Sequence, residues 1–435
     1  MKTPAVRSFP SLSRRHFLRT SGAFLALPAL GASAAGGQGV HTSSTETVRV
    51  GLVGCGGRGT GAASQALAAD KNVKLVAMGD AFSDRLQSSL QTLQGQGAIA
   101  DKIDVPAERW FVGFDAYQKV IEQSDVVLLA TPPHFRPIHI KAAIEAGRHV
   151  FAEKPVAVDA VGVRSVLESC QEAKKKKLAV VSGLAMRYAY PHREAIKRIH
   201  AGDLGEIRSL QANDFRGPIW VKPRQPGWTE MEYHMRNWYY FTWLSGDFNV
   251  EQHVHMLDLS SWIMRDEYPV KAYGIGGRQV RTGPDYGNIY DHHSVIYEYA
   301  NGQRLFANCR QQAGCMNDVG VHVMGSKGVA TFGARGPEIQ AESKWSYRGE
   351  KNNQSQTEHD ELFASIRDGN PINNGDYMSK STLLAIMGRM ATYTGQTITW
   401  EQAMNSAENL SPARYDWNAA PPPSAVAIPG QTKFV

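Results

Sequence analysis

Cysteine is scarce: the chain has four in 435 residues, Cys55, Cys170, Cys309 and Cys315. None shows the paired spacing of a zinc site, so no metal is expected. Cys55 lies in a glycine-rich turn and is expected to be a free, packed thiol. The spacing of Cys309 and Cys315 leaves open whether they form a disulfide. No stretch approaches the ~20 apolar residues that a membrane span needs. Internal repeats and long low-complexity tracts are also lacking, which excludes a solenoid. What remains is an ordinary globular composition, 42% hydrophobic and 20% charged, long enough for two domains.

Acidic residues are missing from one place. Residues 1–34 hold Lys2, Arg7, Arg14, Arg15 and Arg19 and no Asp or Glu. Ser13-Arg14-Arg15-His16-Phe17-Leu18-Arg19 is a twin-arginine pattern, Ala23 to Leu30 is a short apolar run, and Ala32-Ser33-Ala34 offers a cleavage site. A basic head, a brief apolar centre and a small-residue exit predict an export signal over 1–34. The expected location is the periplasm, with no membrane attachment after cleavage. The net charge is +6, but five of its basic residues belong to that segment; the remainder carries +1. The basic pI therefore lends no support to a nucleic-acid partner. Lys174 to Lys177 read as a solvated helix end.

Residues 35–47 are rich in Gly, Ser and Thr and read as a flexible leader. From Val48 onward short apolar segments alternate with helical ones. Strands are expected at Val48–Val53, Val73–Met78, Asp125–Ala130, His149–Ala152 and Leu178–Ser182, with a short element near Arg109–Val112. Helices are expected at Thr60–Ala69, Tyr117–Gln123 and Pro137–Ala146. The Asp125–Ala130 run, apolar throughout after its first residue, suits a strand buried on both faces. This alternation predicts a doubly wound parallel sheet over 48–182. After Gly183 the texture changes. Aromatics crowd Trp220 to Trp243, a helix is expected at Val250–Met264, and strands at Lys271–Val280, Ser294–Tyr299, Arg304–Cys309 and Val319–Met324. The fold class is α/β: a Rossmann domain followed by an α+β domain, 183–417, on an open, mostly antiparallel sheet. Residues 418–435 read as an extended tail.

Gly54-Cys55-Gly56-Gly57-Arg58-Gly59 fits G-x-G-x-x-G directly after a strand and at the start of a helix, the context in which glycines let backbone N–H groups approach a pyrophosphate. Asp80 follows Gly59 by twenty-one residues, at the end of the second strand. A carboxylate there accepts from both ribose hydroxyls and repels a 2′-phosphate, which favours NAD over NADP. Thr131, Pro132 and His134 follow the fourth strand and Glu153-Lys154-Pro155 the fifth, where ligands of open α/β sheets bind. Arg58, Thr131, Pro132, His134, Glu153 and Lys154 join the glycines and Asp80 as cofactor-binding candidates. A lysine beside a nicotinamide suits a hydrogen bond to a substrate hydroxyl, and the cofactor's positive charge would lower its pKa.

Glu251, His255 and Asp258 stand at i, i+4 and i+7, one face of a continuous helix. A histidine with a carboxylate one turn away suits an oriented general base. Glu251-x-His253-x-His255 invites a metal reading, but residues two apart on a helix point in different directions. Arg187, Tyr188, Trp238 and His253 are the candidate substrate residues.

Together these motifs resemble the Gfo/Idh/MocA family, named for glucose–fructose oxidoreductase, inositol dehydrogenase and rhizopine catabolism. The resemblance rests on Gly54–Gly59, Asp80, Ala130-Thr131-Pro132-Pro133-His134, Glu145–Val150, Glu153-Lys154-Pro155 and Gly246 through Asp258. It runs from Val48 to about Trp417. It implies Lys154 and His255 as the catalytic pair, with Glu251 at the usual Asp position, orienting the histidine. Two departures stand out: His253 replaces the family's usual Gly, and Pro133 its usual Asn. The implied substrate is a small carbohydrate and the implied activity is oxidation of a secondary hydroxyl. A homo-oligomer formed through the C-terminal sheet is expected. Export implies a tightly held NAD regenerated within the cycle. The alternative is a redox-neutral NAD-dependent glycosidase working by oxidation, elimination and reduction. A carbohydrate-binding protein with a vestigial site is the third reading, and the retained Lys154 and His255 argue against it.

Overall fold

The computed structural model describes residues 46–435. The export signal and residues 35–45 of the leader lie outside the described residues. The first sheet holds six parallel strands in the order β3-β2-β1-β4-β5-β6. These are β1 Val48–Val53, β2 Val73–Asp80, β3 Trp110–Val112, β4 Val126–Leu129, β5 His149–Ala152 and β6 Val180–Ser182. Strands β4 and β5 are buried at every position, which explains their apolar sequence, His149 at the start of β5 excepted. Helices α1 Gly57–Ala69, α2 Ser83–Gln94, α3 Ala116–Gln123, α4 Arg136–Glu145 and α5 Ala160–Lys175 connect them. Strand order reverses between β1 and β4, the switch point beyond which a crevice opens. Helix α1 begins at Gly57 rather than Thr60, so the glycine turn itself forms the helix N-terminus.

The second sheet has nine strands in the order β14-β13-β12-β11-β7-β10-β9-β8-β15. After helix α6 Tyr190–Ala201 come β7 Ile207–Arg216, short helices α7 Glu230–Arg236, α8 Thr242–Ser245 and α9 Phe248–Glu251, then α10 Val254–Ile263. Strands β8 Lys271–Gly277, β9 His292–Glu298, β10 Arg304–Gln311, β11 Asp318–Gly325, β12 Val329–Gly333, β13 Gly336–Gln340 and β14 Lys344–Ser346 follow. All neighbours are antiparallel except β7 and β10, which run parallel. Burial alternates along β9 residue by residue, as in a sheet covered on one face only.

The helix expected at Val250–Met264 is broken in two. In a continuous helix the carbonyl of Glu251 would accept from the N–H of His255. Lys154 Nζ takes that carbonyl instead, at 2.7 Å, and His255 N turns to Gln252 O at 3.3 Å. The break therefore sits where the first sheet reaches into the second domain.

Helix α11 Gln354–Arg367, inside the stretch read as second domain, returns to the first sheet and packs on α1. The segment after it makes an isolated bridge to β6, Val180 N donating to Ile372 O at 2.8 Å. Helix α12 Gly375–Thr394 then lies between the layers, against α5 and β8, followed by β15 Ile398–Thr399 and α13 Trp400–Asn405. Residues beyond Leu410 form an arm without helix or strand. Cys55, Cys170 and Cys309 are buried free thiols and Cys315 is an exposed one, so Cys309 and Cys315 are not bonded.

Candidate active site

A cavity of about 510 Å³ opens at the carboxyl ends of β1, β2 and β4. Its floor is the glycine turn. Gly54 has φ +95°, and a Cβ there would meet Thr131 N at 2.5 Å. Gly59 fits against Gly54, whose carbonyl oxygen a Cβ would meet at 1.8 Å. Gly56 and Gly57 face open space. The first two glycines hold the turn tight, and the other two leave the α1 N-terminus bare toward the cavity.

Asp80 lines the wall at the end of β2. Its Oδ2 accepts from Cys55 N at 2.6 Å and its Oδ1 from Phe82 N at 2.9 Å. Burial pushes its pKa up, and those two backbone donors oppose the shift. Thr131, Pro132 and Arg58 also line the cavity. A bare helix N-terminus with a carboxylate poised for the ribose fits a dinucleotide.

Other assignments need correction. His134 does not line this cavity: its Nε2 lies 2.8 Å from the Tyr415 hydroxyl, and its ring packs edge-on against Trp243. Glu153 is engaged by Arg58, whose Nη2 also donates to Glu358 of α11 at 2.9 Å. Arg187 is no substrate ligand. It is buried, pairs with Asp258 at 2.8 Å and Asp266 at 2.6 Å, and lies 3.9 Å over the Tyr377 ring. A desolvated guanidinium needs such partners, and they consume its donors. Tyr188 is likewise buried, donating to Asn374 Oδ1 at 2.9 Å. Trp238 does line the cavity, in the aromatic segment that forms its outer wall with Trp220, Met235 and Arg236.

Lys154 leaves the end of β5 and crosses to the second domain, where Nζ donates to Glu251 O at 2.7 Å and Glu251 Oε1 at 2.9 Å. Glu251 thus holds the lysine, and the expectation that it orients His255 does not stand. Asp258 does not reach His255 either, because its carboxylate serves Arg187 and Ser381. His255 is partly exposed, and its Nδ1 is buried without a partner. Burial, then Lys154, Arg216 and Arg58, hold its pKa well below the ordinary imidazole value. The ring is neutral at pH 7 and able to accept a proton. His253 is fully buried, neither nitrogen has a partner, and burial with His293 and Arg216 pushes its pKa down to about 3. Among the described residues no cluster of three or more His, Cys, Asp or Glu has a metal-binding arrangement.

Sequence reasoning missed several neighbours. Asp214 and Arg216 at the end of β7, Tyr239, and Glu358 of α11 all act on this centre. Only the fold brings them there; Glu358 stands 300 residues from the arginine that it binds.

Comparison with known proteins agrees with this layout. The profile described as "Oxidoreductase family, NAD-binding Rossmann fold" matches residues 48–182, and the "GFO/IDH/MocA C-terminal domain" matches residues 192–331. Inositol 2-dehydrogenase of Rhizobium meliloti (strain 1021) is 25% identical over 284 residues, 65% of this chain and 74% of the relative. The 2,7-anhydro-N-acetylneuraminate hydratase of Escherichia coli (strain K12) is 26% identical over 179 residues, 41% of this chain and 44% of its own. Aldose–aldose oxidoreductase from Caulobacter crescentus superposes with a TM-score of 0.63 at 19% identity, covering 81% of this chain and all of that one. The chain belongs to the Gfo/Idh/MocA family and is an enzyme with an NAD-binding Rossmann domain.

Proposed function

We propose that the protein is an NAD-dependent oxidoreductase acting on a secondary hydroxyl of a sugar or glycoside. One observation carries this: Lys154 crosses from the nucleotide sheet to Glu251, four residues before His255. That crossing brings an ammonium group and a neutral imidazole to the junction of the two domains. His255 accepts the hydroxyl proton. Lys154 donates a hydrogen bond to the same oxygen and steadies its developing charge. Glu251 keeps the lysine in place. NAD, when bound, supplies the two-electron acceptor.

A firmly retained cofactor belongs to this proposal. The cavity is roofed from the second domain by Trp220, Arg236 and Trp238. Arg236 also pairs with Asp84 at 3.2 Å and lies 3.9 Å over the Phe82 ring, tying the roof to the nucleotide domain. Retention suits export to the periplasm, where the twin-arginine pattern would send the chain and where free NAD is scarce.

The similarity to inositol 2-dehydrogenase supports the dehydrogenase reading. The hydratase relative supports a second one, a redox-neutral glycoside cleavage, because hydration involves no net oxidation. Incubating the NAD-loaded protein with a panel of glycosides and analysing products by mass spectrometry separates them. Keto-sugars establish the dehydrogenase and free aglycone the glycosidase. Neither product across the panel would leave only carbohydrate binding.

We also propose assembly through the uncovered face of the nine-stranded sheet. Tyr273, Ile296 and Phe306 form one cross-strand row there, and Met324 and Val329 a neighbouring pair. Phe306, Met324 and Val329 are exposed. Sedimentation should show an oligomer, and Phe306→Asp should dissociate it; a monomeric unaltered protein would end the proposal.

A further inference from the structure

The end of β7 carries a guanidinium, on the strand against which the His255 helix packs. Leu210, Ala212 and Asp214 are buried along one face of this strand, and a two-residue period puts Arg216 on the same face. Helix α10, which carries His255, packs against β7. A carboxylate following Leu and Ala into this layer is costly unless paired. Asp214 meets that cost through Arg216: its Oδ1 accepts from Arg216 Nε, while its Oδ2 is buried without a partner.

Arg216 is placed differently. About a third of its side chain is exposed, 32% against 1% for Asp214. The bond to Asp214 uses Nε alone, one of five donors. Among the described residues neither Nη atom donates a hydrogen bond, so the outer edge of the guanidinium, with two parallel N–H groups, is available. Geometry turns that edge toward the reaction centre: α10 with His255 packs on β7, Arg216 pairs in register with Gln311, whose Nε2 donates to the Tyr239 hydroxyl at 2.8 Å, and the cavity-wall Trp220 follows four residues later.

We infer that Arg216 receives a carboxylate of the sugar, so that the substrates are sugar acids of the uronate kind rather than neutral hexoses. A planar fork matches a carboxylate through two parallel bonds, and arginine keeps its charge at every working pH. Asp214 fixes the fork in advance, which lowers the entropic cost of engaging it. Because Asp214 already balances part of the charge, the edge suits a monoanionic carboxylate better than a dianionic phosphate ester. The inference rests on the proposal that Lys154 and His255 mark where the sugar reacts.

Calorimetric titration of the NADH-loaded protein, which has no electron acceptor, tests it without turnover. The probes are D-glucuronate and D-galacturonate, D-glucose and D-galactose, and D-glucose 6-phosphate. Each uronate should bind about 10- to 100-fold more tightly than its hexose, the range of one charged hydrogen-bonded contact. In Arg216→Met that ratio should collapse to about one, and in Arg216→Lys it should fall to an intermediate value, the charge surviving without the fork. Equal or weaker binding of the uronates, a ratio unchanged in Arg216→Met, tightest binding of the phosphate ester, or no binding by any probe would each overturn the inference. The comparison within the unaltered protein stands even if the variants do not fold. Uronate binding without product would keep the inference and count against the proposed oxidation; oxidation of hexoses with indifference to uronates would do the reverse.

Discussion

Glu251 binds Lys154 twice, its carbonyl oxygen at 2.7 Å and its Oε1 at 2.9 Å from Nζ. This one contact breaks the helix ahead of His255 and fixes the ammonium at the junction of the two domains. Lys154→Ala should lower kcat by ~10² to 10⁴-fold, the span of a positioned acid–base group, while NAD binding persists. Glu251→Gln should lose less, because Gln keeps an Oε1 acceptor and the carbonyl bond is untouched. Steady-state kinetics on the identified substrate with a parallel NAD titration measures both. Near-normal turnover in Lys154→Ala would remove the lysine from the reaction.

The second prediction concerns pH. The folded pKa of His255 lies well below the ordinary imidazole value, through burial and then the neighbouring Lys154, Arg216 and Arg58. A depressed pKa keeps the base neutral as the medium acidifies. The acid limb of kcat/KM should therefore fall below pH ~6.5, the unperturbed imidazole value. Arg216→Met removes one repelling cation and should move that limb upward, toward the ordinary value. His255→Ala should abolish the limb and lose ~10² to 10⁴-fold in rate. An acid limb at or above pH ~6.5 in the unaltered protein would mean that another group is the base.

The nucleotide sheet was largely legible because β4 is an unbroken apolar run, β1 and β5 are apolar apart from Arg49 and His149, and the glycine turn marks the first crossing. β7 was not. Its sequence, Ile-Arg-Ser-Leu-Gln-Ala-Asn-Asp-Phe-Arg, mixes polar residues into both faces, and its pairing with β10 spans about ninety residues. Helix α12 escaped for another reason: it is buried nearly all round and shows no amphipathic period. At the site, Lys154 and His255 could be found from local motifs. The Lys154–Glu251 and Arg58–Glu358 pairs could not, since each forms only when distant segments meet. Arg187 and Tyr188 show the opposite failure. Their types suggested ligands, yet Asp258, Asp266 and Asn374 satisfy them inside the protein.

Asp80 provides a cofactor test. Its carboxylate ties the glycine turn through Cys55 N and faces the place expected for the ribose. Asp80→Ala should loosen the turn and so weaken both dinucleotides somewhat. It should weaken NAD much more than NADP, since it removes the ribose acceptor and the repulsion of a 2′-phosphate together. The ratio of the two affinities, measured by fluorescence titration, is the readout. Equal affinities in the unaltered protein would contradict the assignment.

Export can be tested independently of chemistry. Replacing Arg14 and Arg15 by Lys should strand the protein in the cytoplasm, because the twin-arginine machinery reads that pair. Cell fractionation and N-terminal sequencing should find the unaltered mature chain in the periplasm, beginning after Ala34 or Ala35. Unchanged export of the double variant would show that another route is used.

Trp417 of the C-terminal arm packs against the wall of the same cavity. Its ring lies 4.4 Å from Phe114 and 5.2 Å from Phe82, both on the cavity wall. Just before it, Tyr415 meets His134 at 2.8 Å. Further along, the arm is fastened to the second domain: Tyr290 donates to Ala427 O at 3.0 Å and Gly430 N to Thr394 O at 2.9 Å. The arm therefore joins both domains beside the cavity, and any release that displaces Phe82 or Phe114 means parting these aromatic contacts. Each aromatic pair contributes about 0.5–1.5 kcal/mol. Losing two of them in Trp417→Ala should speed NAD release by roughly 5- to 100-fold. The rate is read by chasing bound NADH with excess NAD and following the fluorescence. Changing the exposed Ile275 to Ser, on the outer sheet face, should leave that rate unchanged and serves as the control. An unchanged release rate in Trp417→Ala would mean that the arm packs on the cavity wall without holding the cavity's contents, leaving retention to the Arg236 bridge.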